Sequence, residues 1–434
     1  MSATTSVRTP GLVLWLAAGV ITLLLASGAS AQSNYKSLHT FNGKDGTAPY
    51  STLIFDPAGN LYGTTFIGGH YNFGTVFKLT PNSDGGWNGH VLYSFCWHCN
   101  EGGFAPIAGL TLDSEGNLYG TAALGGAGVG GTVFKLTPNS DGSWTESALY
   151  SFCSLANCAD GYGPEAGVIF DEAGNLYGAT ELGGTLGRGT IFKLTPQLDG
   201  TWAESVLYSF CGLTDKCAAG SDPISNLVFD AAGNLYGTTA DGGLSTLCAS
   251  NGCGVVFKLT PQPNGSWTEK VLHTFNGRDG ANSPSSLILD GAGNLYGTTA
   301  SGGNLSLCVD ISYVNGCGVV FQLTPNADGS WKENVLHRFS GMDGREPTGG
   351  LIIDQAGNLY GTTTRGGSSC DCGVIFKLAP NSGGGWSETV LHRFSDNPGD
   401  QPAAGLTLGT TGSLFGTTQG DLTTTFGSVF EITP

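Results

Sequence analysis

The chain has 434 residues, 72 of them glycine, with only 12% charged side chains and a formal charge of −17. An acidic surface of this kind repels phosphate backbones, so nucleic acid is not an expected partner.

The N-terminus sets the compartment. Arg8 precedes an uncharged apolar run from Gly11 to Ala26, and Ala29-Ser30-Ala31 offers a small-x-small cleavage site before Gln32. Residues 1–31 read as a secretory signal peptide, leaving 32–434 as one exported domain. An uncleaved anchor is the alternative, but the run is short for a span of about 20 residues. After cleavage no membrane contact is expected.

Next comes an isolated strand signature, Leu38-His39-Thr40-Phe41, and then one phrase repeated along the chain. Gly-Asn-Leu-Tyr-Gly begins at Gly59, Gly116, Gly174, Gly233, Gly293 and Gly357, and Gly412-Ser413-Leu414-Phe415-Gly416 is a worn seventh copy. Self-similarity at a near-constant period decides the architecture before any single residue does. Each period carries four strand-like pieces. In the second copy these are Gly109–Asp113, Asn117–Thr121, Gly131–Pro138 and Trp144–Phe152, punctuated by Asp113–Asn117 and Asn139–Ser143. β-branched and aromatic residues fill the strands, and Gly, Asn and Asp fill the turns. The expectation is an all-β, seven-bladed β-propeller with four antiparallel strands per blade. The last repeat, from Gly405 to Pro434, stops after its third strand, while the first strand signature stands alone. The N-terminal strand is therefore expected to complete the last blade, closing the ring and hiding its edges.

Gly-Asn-Leu-Tyr-Gly-Thr-Thr, then Gly-Gly, then Gly-x-Val-Phe-Lys-Leu-Thr-Pro resembles the GloVer tandem repeat of secreted bacterial proteins, over essentially all of residues 34–434. The Asp-x-x-Gly-Asn-Leu-Tyr core is more loosely similar to NHL-type propellers. The resemblance implies an extracellular location and no established activity. Members often carry a C-terminal sorting tail, and this chain departs by ending at Pro434 inside a strand.

The twelve cysteines form six local pairs: Cys96/Cys99, Cys153/Cys158, Cys211/Cys217, Cys248/Cys253, Cys308/Cys317 and Cys370/Cys372. The first three follow the fourth strands of blades 1 to 3, and the last three lie between the second and third strands of blades 4 to 6. Both loop types emerge on one face of the disc. In an exported chain they read as disulfides. A redox Cys-x-x-Cys at Cys96 would want a helix N-terminus. A metal at Cys96-Trp97-His98-Cys99 would want about four ligands. The Cys370–Cys372 ring is the smallest, which disfavours relaxed bond geometry.

Other candidate chemistry has simpler readings. His39, His273, His337 and His392 share a position with Tyr93, Tyr150 and Tyr208, which suggests packing. Asp56, Asp113, Asp171, Asp230, Asp290 and Asp354 fall in the first hairpin turn as capping residues. Asn82–Gly85, Asn139–Gly142 and Asn326–Gly329 read as hairpin turns, since a calcium loop needs more oxygen ligands. Lys135/Glu146, Lys193/Glu204, Lys258/Glu269 and Lys377/Glu388 are expected as cross-strand pairs on the outer hairpins. No metal or cofactor is expected.

The remaining variety lies in the disulfide-bearing loops. They hold Tyr71, Trp97, Phe104, Tyr162 and Tyr313, with Phe66 and Phe73, beside Glu181, Asp241, Arg365 and Asp371. Aromatic rings beside a few carboxylates suit carbohydrate or peptide binding, and equally suit loop packing. The expectation is a monomeric binding or structural scaffold for an extracellular glycan or protein. The rival is an extracellular hydrolase or lyase acting on polysaccharide or peptide at the channel mouth, which would need two positioned carboxylates.

Overall fold

The computed structural model describes residues 1–2, 33–97, 102–211, 217–245, 247–248, 251–309, 314–395, 401–420 and 424–434. Residues 33–434 form one compact unit. The expected signal peptide lies outside the described residues, apart from Met1 and Ser2.

Seven four-stranded antiparallel sheets make up this unit. In blade 1 the inner strand is Ile54–Phe55, the second Leu61–Thr65, the third Thr75–Pro81 and the outer Trp87–Ser94. The same order recurs in blades 2 to 6. In blade 7 the inner strands are Thr407–Leu408, Leu414–Thr418 and Ser428–Thr433, and the fourth is Asn34–Thr40 from the start of the chain. Asn34 lies opposite Thr433 and Thr40 opposite Ser428, so the closure read from the missing strand is present.

The repeated phrase has a packing cause at each position. Gly59 turns the hairpin at φ +84°. Leu61 is fully buried. Gly63 faces Phe77 across the sheet, and a Cβ there would stand 2.7 Å from the Phe77 ring and 2.9 Å from Leu53. The corresponding glycines of the other six blades meet the equivalent phenylalanine at 2.5–2.7 Å, so the missing side chain makes room for the core ring. Asp56 ties the turn: Oδ1 accepts from the N–H groups of Ala58 and Asn60, and Oδ2 from Asn60 Nδ2 and the Tyr62 hydroxyl. Burial pushes this carboxyl up, but the bonds from Asn60 and Tyr62 prevail and hold it below its ordinary value. Asp113, Asp171, Asp230, Asp290 and Asp354 do the same in their blades. In blade 7 Gly409 and Phe415 replace the Asp and Tyr, and this network is lost there.

Blades join through aromatic pairs. The phenylalanine that directly follows each outer strand meets the third-strand phenylalanine of the next blade. Phe95–Phe134 centroids are 5.1 Å apart, Phe339–Phe376 5.1 Å, and across the closure Phe41–Phe77 5.1 Å. Such edge-on pairs add to the burial of apolar area. The histidines and tyrosines of the outer strands stand edge-on to these rings, as in His39–Phe41 and Tyr150–Phe152, in the expected packing role.

One expectation is corrected. Lys135 lies opposite Ser147, and Glu146 opposite Leu136, so Lys135 and Glu146 leave opposite faces of the hairpin and cannot pair. Lys135 instead lies 5.5 Å over the Tyr119 ring. Lys193, Lys258 and Lys377 likewise cover Tyr177, Tyr236 and Tyr360. The glutamates turn toward the preceding blade, where burial pushes Glu146, Glu204 and Glu333 up to about 7.

Candidate functional site

Strand alternation puts the second-to-third loops and the blade-to-blade loops at the same face. Bridges between the two loop types tie them there, among them Thr47–Ile67, Phe104–Leu124, Tyr162–Leu182 and Ser221–Asp241. Among the described residues the opposite face carries the hairpin turns and the two ends of the propeller unit, where Asn34 lies opposite Thr433.

Every blade-to-blade loop holds a residue with left-handed backbone six positions before its inner strand. These are Ala48, Ala105, Gly163, Asp222, Asn282, Glu346 and Gln401, with φ between +54° and +68°. Six of the seven carry a side chain, for which this conformation costs roughly 1–2 kcal/mol. The compensation is visible: each N–H donates to a carbonyl in the preceding blade's second-to-third loop. The acceptors are Phe426, Phe73, Gly130, Arg188, Cys253, Cys317 and Cys372, in the same order.

This latch explains the placement of the cysteines. Bonds join Cys153–Cys158, Cys211–Cys217, Cys248–Cys253, Cys308–Cys317 and Cys370–Cys372. Cys96 is also disulfide-bonded, while Cys99 lies outside the described residues. The early pairs sit in the loop that donates to the latch, and the late pairs in the loop that accepts. Each of the six junctions within the run of blades thus holds one cysteine pair, and the closing junction, Ala48 to Phe426, holds none. The sequence shows the switch of loop type but not its reason, because the latch is a contact between periods.

The central channel is a cavity of about 350 Å³ lined mainly by small and hydroxylic residues, with Tyr50, Thr348 and Glu165 among them. Burial, and then the nearby Glu181 charge, pushes Glu165 up to about 7. Burial also raises Glu181 and Asp241. Asp222 is pushed up to about 6 by burial and then by Asp241, against the pull of Arg188 at 3.9 Å. Carboxylates thus gather beside the mouth between blades 3 and 4. Among the described residues no group of three or more His, Cys, Asp or Glu is placed to hold a metal.

Of the ring residues singled out in the sequence, Trp97 and Phe104 come together, stacked at 5.0 Å and 20°. Phe73 stands edge-on to both, at 5.8 and 5.2 Å. Trp97 keeps 56% of its surface exposed and Tyr71 48%. Tyr71 contacts His70 edge-on, and Tyr162 sits one junction further round, backbone-bridged to Leu182. Tyr313 lies outside the described residues. Sequence reasoning missed the acid partners of the outer-strand histidines. Asp45, Asp279 and Asp343 lie 3.1–3.3 Å from His39, His273 and His337. A constant spacing of six residues was the available signal.

The family model described as the Gloeobacter/Verrucomicrobia repeat matches residues 25–249, 145–328 and 248–434. No protein of curated function matches the chain. Among solved structures it is similar to PorZ, a bacterial surface component of the type-IX secretion system of Porphyromonas gingivalis, at 14% identity and TM-score 0.51. That match covers 89% of this chain but 46% of PorZ, less than half of its length. A protein from Lactobacillus plantarum is 14% identical at TM-score 0.48, covering 79% of this chain and 84% of that one. A gluconolactonase from Xanthomonas campestris is 12% identical at TM-score 0.41, covering 93% and 90%. At these identities the likeness is one of fold.

Proposed function

For this chain, which belongs to the Gloeobacter/Verrucomicrobia repeat family, we propose the role of an exported, non-catalytic scaffold that binds an extracellular glycan or protein on its disulfide-bearing face. The observation that carries the reading is the contrast between the two faces. One is paved with near-identical hairpins. The other varies from blade to blade and displays Trp97 half in solvent on a Phe73–Phe104 platform. Binding residues tend to sit on varied loops held by a rigid frame. Export accords with the N-terminal apolar run and with the bonded cysteines, which persist in oxidising compartments.

Screening the purified protein against a glycan array is the direct test. For a ligand found there, Trp97→Ala with Tyr162→Ala should weaken binding more than tenfold, about 1.4 kcal/mol, and leave the melting temperature close to that of the parent. Unchanged affinity in this double variant, with affinity lost on altering the hairpin face, overturns the assignment. Turnover of a polysaccharide that disappears with Glu165→Gln would replace the scaffold with the enzymatic alternative.

A further inference from the structure

The arginines of this acidic chain are few and unevenly placed. Apart from Arg8 they are Arg188, Arg278, Arg338, Arg345, Arg365 and Arg393, so five of these six fall between residues 278 and 393, in the sector of blades 4 to 6. Three of the five are engaged at home. Arg345 Nε donates to Asp371 at 2.9 Å, Arg365 Nε lies 3.4 Å from Glu346, and Arg393 Nε donates to the Gly367 carbonyl at 2.9 Å. The other two, Arg278 and Arg338, make no ion pair or side-chain hydrogen bond among the described residues. Both line one cavity of about 440 Å³, with Gly303, Asn304, Leu305 and Ser306.

Three separate segments build this cavity. Arg278 comes from the loop joining blade 4 to blade 5, residues 303–306 from the second-to-third loop of blade 5, and Arg338 from the end of its outer strand, Trp331–Arg338. Of the neighbouring acids, Asp279 is turned to His273 at 3.3 Å, and Glu333, within range of the Arg338 charge, is pushed up by burial and sits by the His273–Asp279 pair. Asn304 Oδ1 is occupied by the Ser306 N–H and hydroxyl, which leaves the amide nitrogen as a donor. The lining is thus rich in donors: two guanidinium forks and an amide, with Leu305 as the apolar wall.

We propose that this cavity is an anion subsite for a carboxylate-bearing sugar. A guanidinium fork matches the two oxygens of a carboxylate, and two forks from different segments hold it in a fixed direction. A sugar ring supplies hydroxyls for Ser306 and Asn304 and an apolar edge for Leu305. A polyphosphate offers no ring hydroxyls for Ser306 and Asn304 and no apolar edge for Leu305, so it would leave most of the lining unmatched. An extended acidic peptide would want an open strand edge, and the lining offers side chains and loop backbone instead.

The inference rests on the reading of this face as the binding face, and the two can fail separately. The Trp97/Tyr162 variant reads any ligand of the face, whereas the arginine variants read the charged one alone. Calorimetric titration would use an oligogalacturonate, a neutral oligosaccharide of equal length and an oligoglutamate. The oligogalacturonate should bind, more weakly as salt rises. Arg278→Gln and Arg338→Gln should each cost at least tenfold in Kd, and the double variant should abolish binding. Melting temperatures should stay nearly unchanged, because neither side chain has a hydrogen bond or close ion pair to lose among the described residues, and Arg338 only acts at a distance on Glu333. Three results overturn the proposal: no oligogalacturonate binding at millimolar concentration, equal binding by the double variant, or oligoglutamate bound as tightly as the sugar.

Discussion

Two glycines of one phrase do opposite jobs, and substitution separates them. At Gly120 an added Cβ would meet Phe134 at 2.6 Å and Leu110 at 2.9 Å, while nothing lies within 4 Å of Gly116, whose φ is +87°. Gly120→Ala should therefore cost roughly 1–3 kcal/mol through overpacking, and Gly116→Ala roughly 1–2 kcal/mol through backbone conformation alone. Denaturant unfolding checks both, and equal stability of Gly120→Ala and the parent would contradict the packing account. Only the turn role was legible in the sequence. Asp113 and Gly116 announce a hairpin by type, but the crowding at Gly120 depends on a ring fourteen residues away across the sheet. The lysines misled for a related reason. Residue type made Lys135 and Glu146 look like partners, and register put them on opposite faces.

At the level of strands, five outer strands carry a glutamate two residues after their tryptophan: Glu146, Glu204, Glu269, Glu333 and Glu388. Glu146 lies 3.5 Å from the Tyr93 hydroxyl of the preceding blade, and Glu333 and Glu388 sit by the His273–Asp279 and His337–Asp343 pairs. Burial raises Glu146, Glu204 and Glu333 to about 7 from an ordinary 4.5, and raises Glu388 as well. Between those two values the folded chain keeps protons that the unfolded chain has released, so stability falls as pH rises from 4.5 to 7. His392 opposes this. Burial lowers it, so its stabilising contribution is lost as pH falls below 6.5. The glutamates outnumber it, and the melting temperature should rise on the order of 5 °C from pH 8 to pH 5. A Glu146→Gln, Glu204→Gln, Glu333→Gln triple variant should flatten that slope, and an unaltered slope would refute the assignment. Below the ordinary 3.8 of aspartate the hairpin carboxyls take protons and stability drops again. The strands themselves were legible from their β-branched and aromatic residues and from the Gly, Asn and Asp turns between them. The side chains that cross from one blade to the next were not, because no single period contains both partners.

For the whole molecule, closure was the most legible feature, since an orphan strand and a strandless blade can be counted on the page. Deleting residues 33–42 removes the pairing of Asn34–Thr40 with Ser428–Thr433, the Tyr35–His392 stack at 4.2 Å and the Phe41–Phe77 contact. The truncated chain should melt far below the parent and aggregate through its open edge. A truncation that melts like the parent would show that the ring does not depend on this strand. What the sequence could not reveal is how unequal the junctions are. Six have a cysteine pair stiffening one side of the latch, and the seventh, held by the Ala48–Phe426 latch, the short strand and the Phe41–Phe77 contact, has no cysteine. The consequence is mechanical. Asn34 and Thr433 face each other across the final pair of strands, so a pull on the two ends peels their hydrogen bonds one at a time instead of shearing them together. The molecule is a bracelet with a zip for a clasp. Tension would open it at low force and at one place, whatever the redox state of its cysteines, and the remaining blades would then unravel inward from both sides of that seam.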